Sequence, residues 1–269
     1  FFLELFSEEI PAGLQKNLRE KIFEDFKNLF EEKSIRSKKN FSFSTPNRLV
    51  LVFEGLDKQI KIKSKEIRGP KTSAPEQALE GFLRSNKINK KDLFKKKTEK
   101  DEFYFYKTVA TSLKTHDLLT EFIPKILSNY QWKKSMKWGE FDLNWGRPLK
   151  SILSIFDKKI VSFKFHHLTS SNLTFLDKDF EEKKRSFENF KKYEKFFEDN
   201  GVIINQNKRL KIINKSFLKI LGKKGLKINE NPKLMDEVVN LVDSPNVLLC
   251  KFDKKFLSVP KEILTLTME

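Results

Sequence analysis

Phe2-Leu3-Glu4-Leu5-Phe6, then Glu8-Glu9-Ile10-Pro11-Ala12-Gly13, then Leu14, Leu18, Ile22, Phe26 and Leu29 form the stretch that decides the fold class. The first five residues read as a short strand. The proline- and glycine-bearing turn opens a helix, and the apolar residues that follow recur at helical spacing to about Phe30. Glu8 and Glu9 stand where carboxylates meet free N–H groups and the positive end of the helix dipole. Helix capping is therefore preferred for them over a paired-carboxylate site. Two more strands follow, Phe41–Ser44 and Leu49–Phe53, joined through Thr45-Pro46-Asn47-Arg48.

The same mixture continues along the chain. Lys58 to Lys65 alternates with Ile60 and Ile62 as in a half-exposed strand, Pro75 to Leu83 is a short helix, and Phe103 to Tyr106 is strand-like. Leu118, Leu119, Phe122, Ile123, Ile126, Leu127 and Tyr130 mark an amphipathic helix. Ser151–Phe156 and Ile160–Phe165 form a hairpin over Asp157-Lys158-Lys159. Phe187, Phe190, Tyr193, Phe196 and Phe197 make a helix face that stops at Asn200-Gly201. Val202–Ile204 and Val247–Cys250 read as strands, and Asn207–Leu221 and Pro232–Val242 as helices. This order predicts an α+β fold of mixed sheets and packed amphipathic helices, not an alternating doubly wound sheet. Two α+β subdomains are expected, 1–130 and 131–269, with the boundary near 131–150.

Composition narrows the function classes. The chain has 269 residues, 38% of them hydrophobic, enough for a real core. No apolar run approaches the ~20 residues of a membrane span. The N-terminus has neither a basic n-region nor a cleavage signal, so a soluble cytoplasmic protein is expected. The single cysteine, Cys250, excludes an internal disulfide and a cysteine zinc site. It is expected to be a small core residue. The formal charge of +17 points toward a polyanion. That signal is diluted by a skew to 46 lysines against 8 arginines, with 27 phenylalanines and 4 alanines, as AT-rich coding produces.

Chemistry-bearing motifs are few. The chain holds no Walker pattern and no Gly-x-Gly-x-x-Gly loop, and Gly222-Lys223-Lys224-Gly225 is a basic turn after a helix. His116, His166 and His167, the three histidines, lack partners at metal or triad spacing. Lys133-Lys134-Ser135-Met136-Lys137 superficially matches the lysine signature loop of some aminoacyl-tRNA synthetases, but the accompanying histidine–glycine signature is absent. The densest informative cluster is Met136-Lys137-Trp138-Gly139 with Trp145-Gly146-Arg147-Pro148. It gathers two of the three tryptophans and two of the nine glycines.

That cluster is similar to the Met-Arg-Trp-Gly … Arg-Pro segment of the beta subunit of bacterial glycyl-tRNA synthetase. Further stretches resemble the family in its order: Glu8-Glu9-Ile10-Pro11; Ser44-Thr45-Pro46-Asn47-Arg48-Leu49 with Glu54-Gly55-Leu56; Arg68-Gly69-Pro70; Ala78 to Arg84; Glu237 to Pro245; and Phe256 to Glu262. Asn47 stands where the family usually has arginine, and Trp145-Gly146 replaces an aromatic–aliphatic pair. Thr174 to Phe180 lies where the family has Thr-Arg-Gly-His-Arg-Phe, so no role of that histidine or arginine transfers. The missing initiator Met, and the family's continuation beyond Glu269, suggest a fragment of a longer subunit.

The resemblance implies the N-terminal part of a glycine–tRNA ligase subunit that supports recognition of tRNA(Gly). Glycine would be joined to the tRNA through an adenylate whose site lies on a separate alpha subunit, in an alpha2-beta2 assembly. ATP and magnesium would bind that alpha subunit, with no cofactor and no catalytic residue in this segment. Within the matching motifs, Arg48, Arg68, Arg84, Lys137, Trp138 and Arg147 are the candidates for tRNA contact. Arginines would fork onto phosphates and Trp138 would stack on a base. The competing reading has Arg48 and Arg147 paired with buried carboxylates such as Glu8 or Glu9, and Trp138 as a core anchor. The Leu234-Met235…Val238-Val239…Val242 stripe is expected to be core, or else to contact later domains. The alternative to a ligase subunit is a free-standing RNA-binding or structural module without a ligase partner.

Overall fold

The structure, a computed structural model, describes residues 1–62, 64–98, 101–176 and 184–268. It is α+β, with helices and several antiparallel sheets. Strand β1 (Phe2–Ser7) leads into α1 (Ala12–Glu32), then β2 (Lys39–Thr45) and β3 (Arg48–Glu54). The next stretch contains β4 (Gln59–Ile62), β5 (Glu66–Lys71), α2 (Glu76–Asn86), β6 (Leu93–Lys97), β7 (Glu102–Lys107) and β8 (Thr111–Lys114). It is followed by α3 (Thr115–Asn129), β9 (Leu149–Phe156) and β10 (Lys159–Ile160). Short strands β11 (Lys164–Phe165), β12 (Leu168–Thr169), β13 (Leu173–Phe175) and β14 (Lys184–Ser186) come next. The helices α4 (Phe190–Asp199), α5 (Gln206–Lys224), α6 (Pro232–Leu241) and α7 (Lys261–Met268) complete the order.

Two compact units result: Phe1–Asp57 with His116–Glu269, and Lys58–Thr115. They do not divide at the expected 131–150 boundary. The reason is long-range pairing: β9 lies beside β1 in one sheet, with Leu5 opposite Ile152, so the chain on both sides of that point shares a core.

The larger unit is organised by a five-stranded antiparallel sheet, ordered β10-β9-β1-β3-β2. Strand β1 is central and every residue of it is buried, which is why it puts apolar side chains on both faces, with Glu4 and Ser7 as its polar members. On one side α1 buries Leu18, Ile22, Phe26, Leu29 and Phe30. Phe53 of β3 meets this helix, with ring centroids 4.9 Å from Phe30 and 5.2 Å from Phe23. A second apolar cluster joins Phe2, Val50, Val52, Leu153 and Ile155 to Phe187, Tyr193, Phe197 and Ile204. Alternation along β1 sends Phe2 and Glu4 toward this cluster and Leu3 and Leu5 the other way.

The turns follow local chemistry. The β2–β3 hairpin turns at Pro46-Asn47, and the Asn47 amide donates to the Ser7 carbonyl at 3.2 Å. The Pro46 carbonyl accepts from the Ile10 N–H at 2.8 Å, so this hairpin fixes the entry to α1. Glu8 and Glu9 do not cap the helix as expected. Pro11 is the N-cap, no side chain caps it, and the Glu8 carboxylate instead lies 2.7 Å from Lys150 Nζ. The β9–β10 hairpin turns at Asp157 and Lys158, both with positive φ, the geometry of a tight two-residue hairpin. Val202–Ile204 and Val247–Cys250 are not strands. Ile203 gives its N–H to the Asp243 carbonyl in a single loop contact, and Cys250 is exposed, not core.

Within the smaller unit, β5-β7-β6 form an antiparallel sheet and β4-β8 a two-stranded ribbon. The α2 helix lies against one face of the three-stranded sheet: a Cβ on Gly69 would stand 3.0 Å from the Phe82 ring. No described helix is long and apolar enough to cross a membrane.

Candidate nucleic-acid interface

The sequence candidates separate into buried and exposed groups. Arg48 opens β3 and is only 2% exposed. Its guanidinium sits between two rings, 4.7 Å from the Phe6 centroid and 4.6 Å from that of Phe197. One terminal nitrogen donates to the carbonyls of Phe175 and Leu176 at 2.6 and 2.8 Å. Its Nε lies 3.6 Å from the carboxylate of Glu4, which is wholly buried. Thr174 and Tyr193 donate their hydroxyls to the two oxygens of that carboxylate. Burial pushes the Glu4 carboxyl above its ordinary range, against the opposing pull of Arg48 and the two hydroxyls. Burial and the neighbouring Glu4 push the Tyr193 phenol well up. Arg48 is thus a cross-link between β1, β3, β13 and α4, and it does not reach solvent. Its carboxylate partner is Glu4, not Glu8 or Glu9.

Arg147 is half-buried and donates to the Gly146 carbonyl at 2.8 Å. Beside it, Trp145 is the fully buried anchor of the motif, with ring centroids 5.0 Å from Trp132 and 5.8 Å from Phe165. Glycine at 146 lets the Trp132 ring lie against the backbone: a Cβ there would stand 2.1 Å from that ring and force it to move. Met136 and Trp145 exchange backbone hydrogen bonds at 2.8 and 3.1 Å, closing the intervening loop. Trp138 on that loop is half-buried, edge-on to His167 at 6.0 Å, and Phe141 stacks on the same imidazole at 3.7 Å. Burial and the adjacent His166 lower the His167 pKa, so this ring is neutral at pH 7. Lys137 is exposed, 3.6 Å from Asp142.

Arg68 and Arg84 belong to the Lys58–Thr115 unit, apart from the others in the chain's division. Both are exposed. The Arg68 guanidinium lies 3.6 Å over the Phe103 ring, and Arg84 is 3.9 Å from Glu80 on the same helix. In the divergent Thr174 to Phe180 segment, Thr174 and Phe175 serve the buried Glu4–Arg48 cluster, while residues 177–180 lie outside the described residues. Of the Leu234 to Val242 stripe only Val239 is buried. Leu234, Met235 and Val238 line a groove with Ile213, Phe217 and Leu218.

Two arginines that matter lay outside the matched motifs. Arg209 of α5 is fully buried and donates to four carbonyls: Val239 at 2.9 Å, Ile203 at 2.7 Å, Ile204 at 3.0 Å and Ser44 at 2.8 Å. Burial lowers its pKa to about 10, so it stays charged at pH 7. Arg19 donates to the Ser44 hydroxyl at 2.7 Å. The signal for both was arginine scarcity itself. In a chain so strongly shifted to lysine, Arg209 keeps the planar fork of donors that its four carbonyls need.

The profile of the family described as glycyl-tRNA synthetase beta subunit matches residues 1–269. The glycine–tRNA ligase beta subunit of Rickettsia canadensis is 37% identical over 266 residues, and that of Rickettsia conorii is 38% identical over 266. Each comparison covers 99% of this chain and 40% of the relative, so the chain spans about two fifths of the length of these proteins. With a match running from the buried Glu4–Arg48 cross-link through the tryptophan corner to the last helix, the chain belongs to the glycyl-tRNA synthetase beta subunit family.

Proposed function

We propose that this chain is the N-terminal part of a glycine–tRNA ligase beta subunit and supports recognition of tRNA(Gly) for the ATP-dependent attachment of glycine. Adenylate formation, with its ATP and magnesium, is assigned to a separate alpha subunit, in a cytoplasmic alpha2-beta2 assembly. The observation that carries this reading is the family match along the whole chain. The site geometry narrows how the segment would serve. Arg48 is withdrawn into the fold, whereas Arg68, Arg84 and Lys137 are exposed, and Arg147 and Trp138 are half-buried. Contact with RNA phosphates therefore falls to the exposed cations and not to the buried staples.

The test is to co-express the full-length beta subunit with a tagged alpha subunit and measure glycylation of tRNA(Gly). Co-purification and dependence of charging on both chains are expected. Full charging by the alpha subunit alone, or a beta chain that purifies without it, would overturn the reading.

A further inference from the structure

The Lys58–Thr115 unit concentrates charge. It holds sixteen lysines and arginines against seven aspartates and glutamates, a net +9 of the chain's +17 in about a fifth of its length. The three-stranded sheet inside it has two unlike faces. Cross-strand partners in register point to the same side. One side therefore carries Ile67 and Gly69 of β5 with Tyr104 and Tyr106 of β7, and this is the side on which Phe82 of α2 packs. The other carries Glu66, Arg68 and Lys71 of β5, Phe103, Phe105 and Lys107 of β7, and Phe94 and Lys96 of β6, so one carboxylate stands among four cations.

This second face alternates rings with cations. Phe94 is 37% exposed and stacks on half-exposed Phe105 at 6.0 Å. Lys96 Nζ is 5.6 Å from the Phe105 centroid, and Arg68 and Lys71 both stand over Phe103. Lys71 and Lys96 also form ion pairs, with Asp101 at 2.6 Å and Glu66 at 2.9 Å, but every partner is substantially exposed. Exposed pairs of this kind are worth little and exchange readily for another anion. Flat rings flanked by cations on an accessible sheet match the chemistry of unpaired nucleotides, whose bases stack while their phosphates take the charges.

We propose that this face of the β5-β7-β6 sheet is the docking surface for an unpaired RNA strand, with Phe94 and Phe105 stacking on bases and Arg68, Lys71, Lys96 and Lys107 holding phosphates. The inference rests on the proposed role in tRNA recognition and gives that role a surface. A duplex would not use it in this way, because paired bases hide the faces that the rings need.

The test uses the full-length subunit in complex with its alpha partner and follows binding of a tRNA(Gly) transcript and of a short oligouridylate by fluorescence anisotropy. Phe94→Ala is expected to weaken oligouridylate binding about tenfold, as loss of one stacked base does. Lys96→Glu is expected to weaken both probes and to flatten the salt dependence. Lys95→Glu makes the same charge change one residue away on the opposite face, and binding should fall less than about twofold. Thermal melts of each variant separate lost binding from lost folding. Equal losses in the Lys95 and Lys96 variants, or folded Phe94 and Lys96 variants that bind both RNAs as the parent does, would overturn the surface and leave the role in tRNA recognition standing. A parent complex that binds neither RNA would overturn that role itself.

Discussion

Arg48→Met should unfold the larger unit at a markedly lower temperature without a specific effect on RNA. The substitution removes the guanidinium from between Phe6 and Phe197 and leaves the Glu4 carboxylate buried without a cation. It also strips the Phe175 and Leu176 carbonyls of their donor. Breaking one side of a buried ion pair costs about 3–5 kcal/mol. The methionine keeps part of the packing between the rings, so a total near 4 kcal/mol is expected. At roughly 2–4 °C per kcal/mol for a unit of this size, Tm falls by roughly 8–16 °C. Differential scanning calorimetry on the assembled enzyme measures it, with tRNA affinity determined well below the transition. The double variant Glu4→Gln/Arg48→Met removes both charges and should recover more than about half of the loss. A single variant that melts like the parent but binds tRNA more weakly would refute the reasoning, since it would mean that this guanidinium reaches RNA.

Three further outcomes follow from the same interior. Arg209→Lys keeps the charge but cannot serve four carbonyls around it, and should cost about 2–3 kcal/mol by urea titration. Gly146→Ala forces a methyl group into the Trp132 ring, and should cost about 1–3 kcal/mol and change the near-ultraviolet circular dichroism of the Trp132–Trp145 pair. Glu4 titrates above its ordinary value of 4.5 in the folded chain, so the folded state keeps a proton that the unfolded state has lost. The stability from that proton is fully present below 4.5 and is lost as pH rises through the raised value. Glu4→Gln should remove this decline from a series of urea midpoints taken from pH 4.5 upward.

The elements with strong periodicity were legible in the sequence. Leu18, Ile22, Phe26 and Leu29 announced α1, and Phe2, Leu3, Leu5 and Phe6 of β1 put apolar side chains on both faces, as in a strand covered on both sides. The division into units was not legible, because it depends on β9 returning to β1 from beyond the Lys58–Thr115 unit, with Leu5 opposite Ile152. Short apolar runs misled for a related reason. Val247 to Cys250 has the composition of a strand, but among the described residues no strand pairs with it. At the site, sequence could single out Arg48 as special without saying why. Burial decides between a staple and a contact, and burial there is set by Phe6, Phe197 and Glu4, which come from distant parts of the chain. The tryptophan cluster left a choice between base stacking and core anchoring for Trp138, and in the fold the buried ring is its neighbour Trp145 while Trp138 is half-buried.

The ribbon of β4 and β8 brings the two ends of the Lys58–Thr115 unit together, and Thr115 gives its N–H to the Lys58 carbonyl at 3.0 Å. The polypeptide thus leaves the five-stranded sheet's unit and returns to it at neighbouring points, as in a cassette. Lengthening or shortening what lies beyond that clasp changes the closure entropy only slowly with length. A change of length in the more basic of the two units therefore costs little closure entropy at the point where the chain rejoins the larger one.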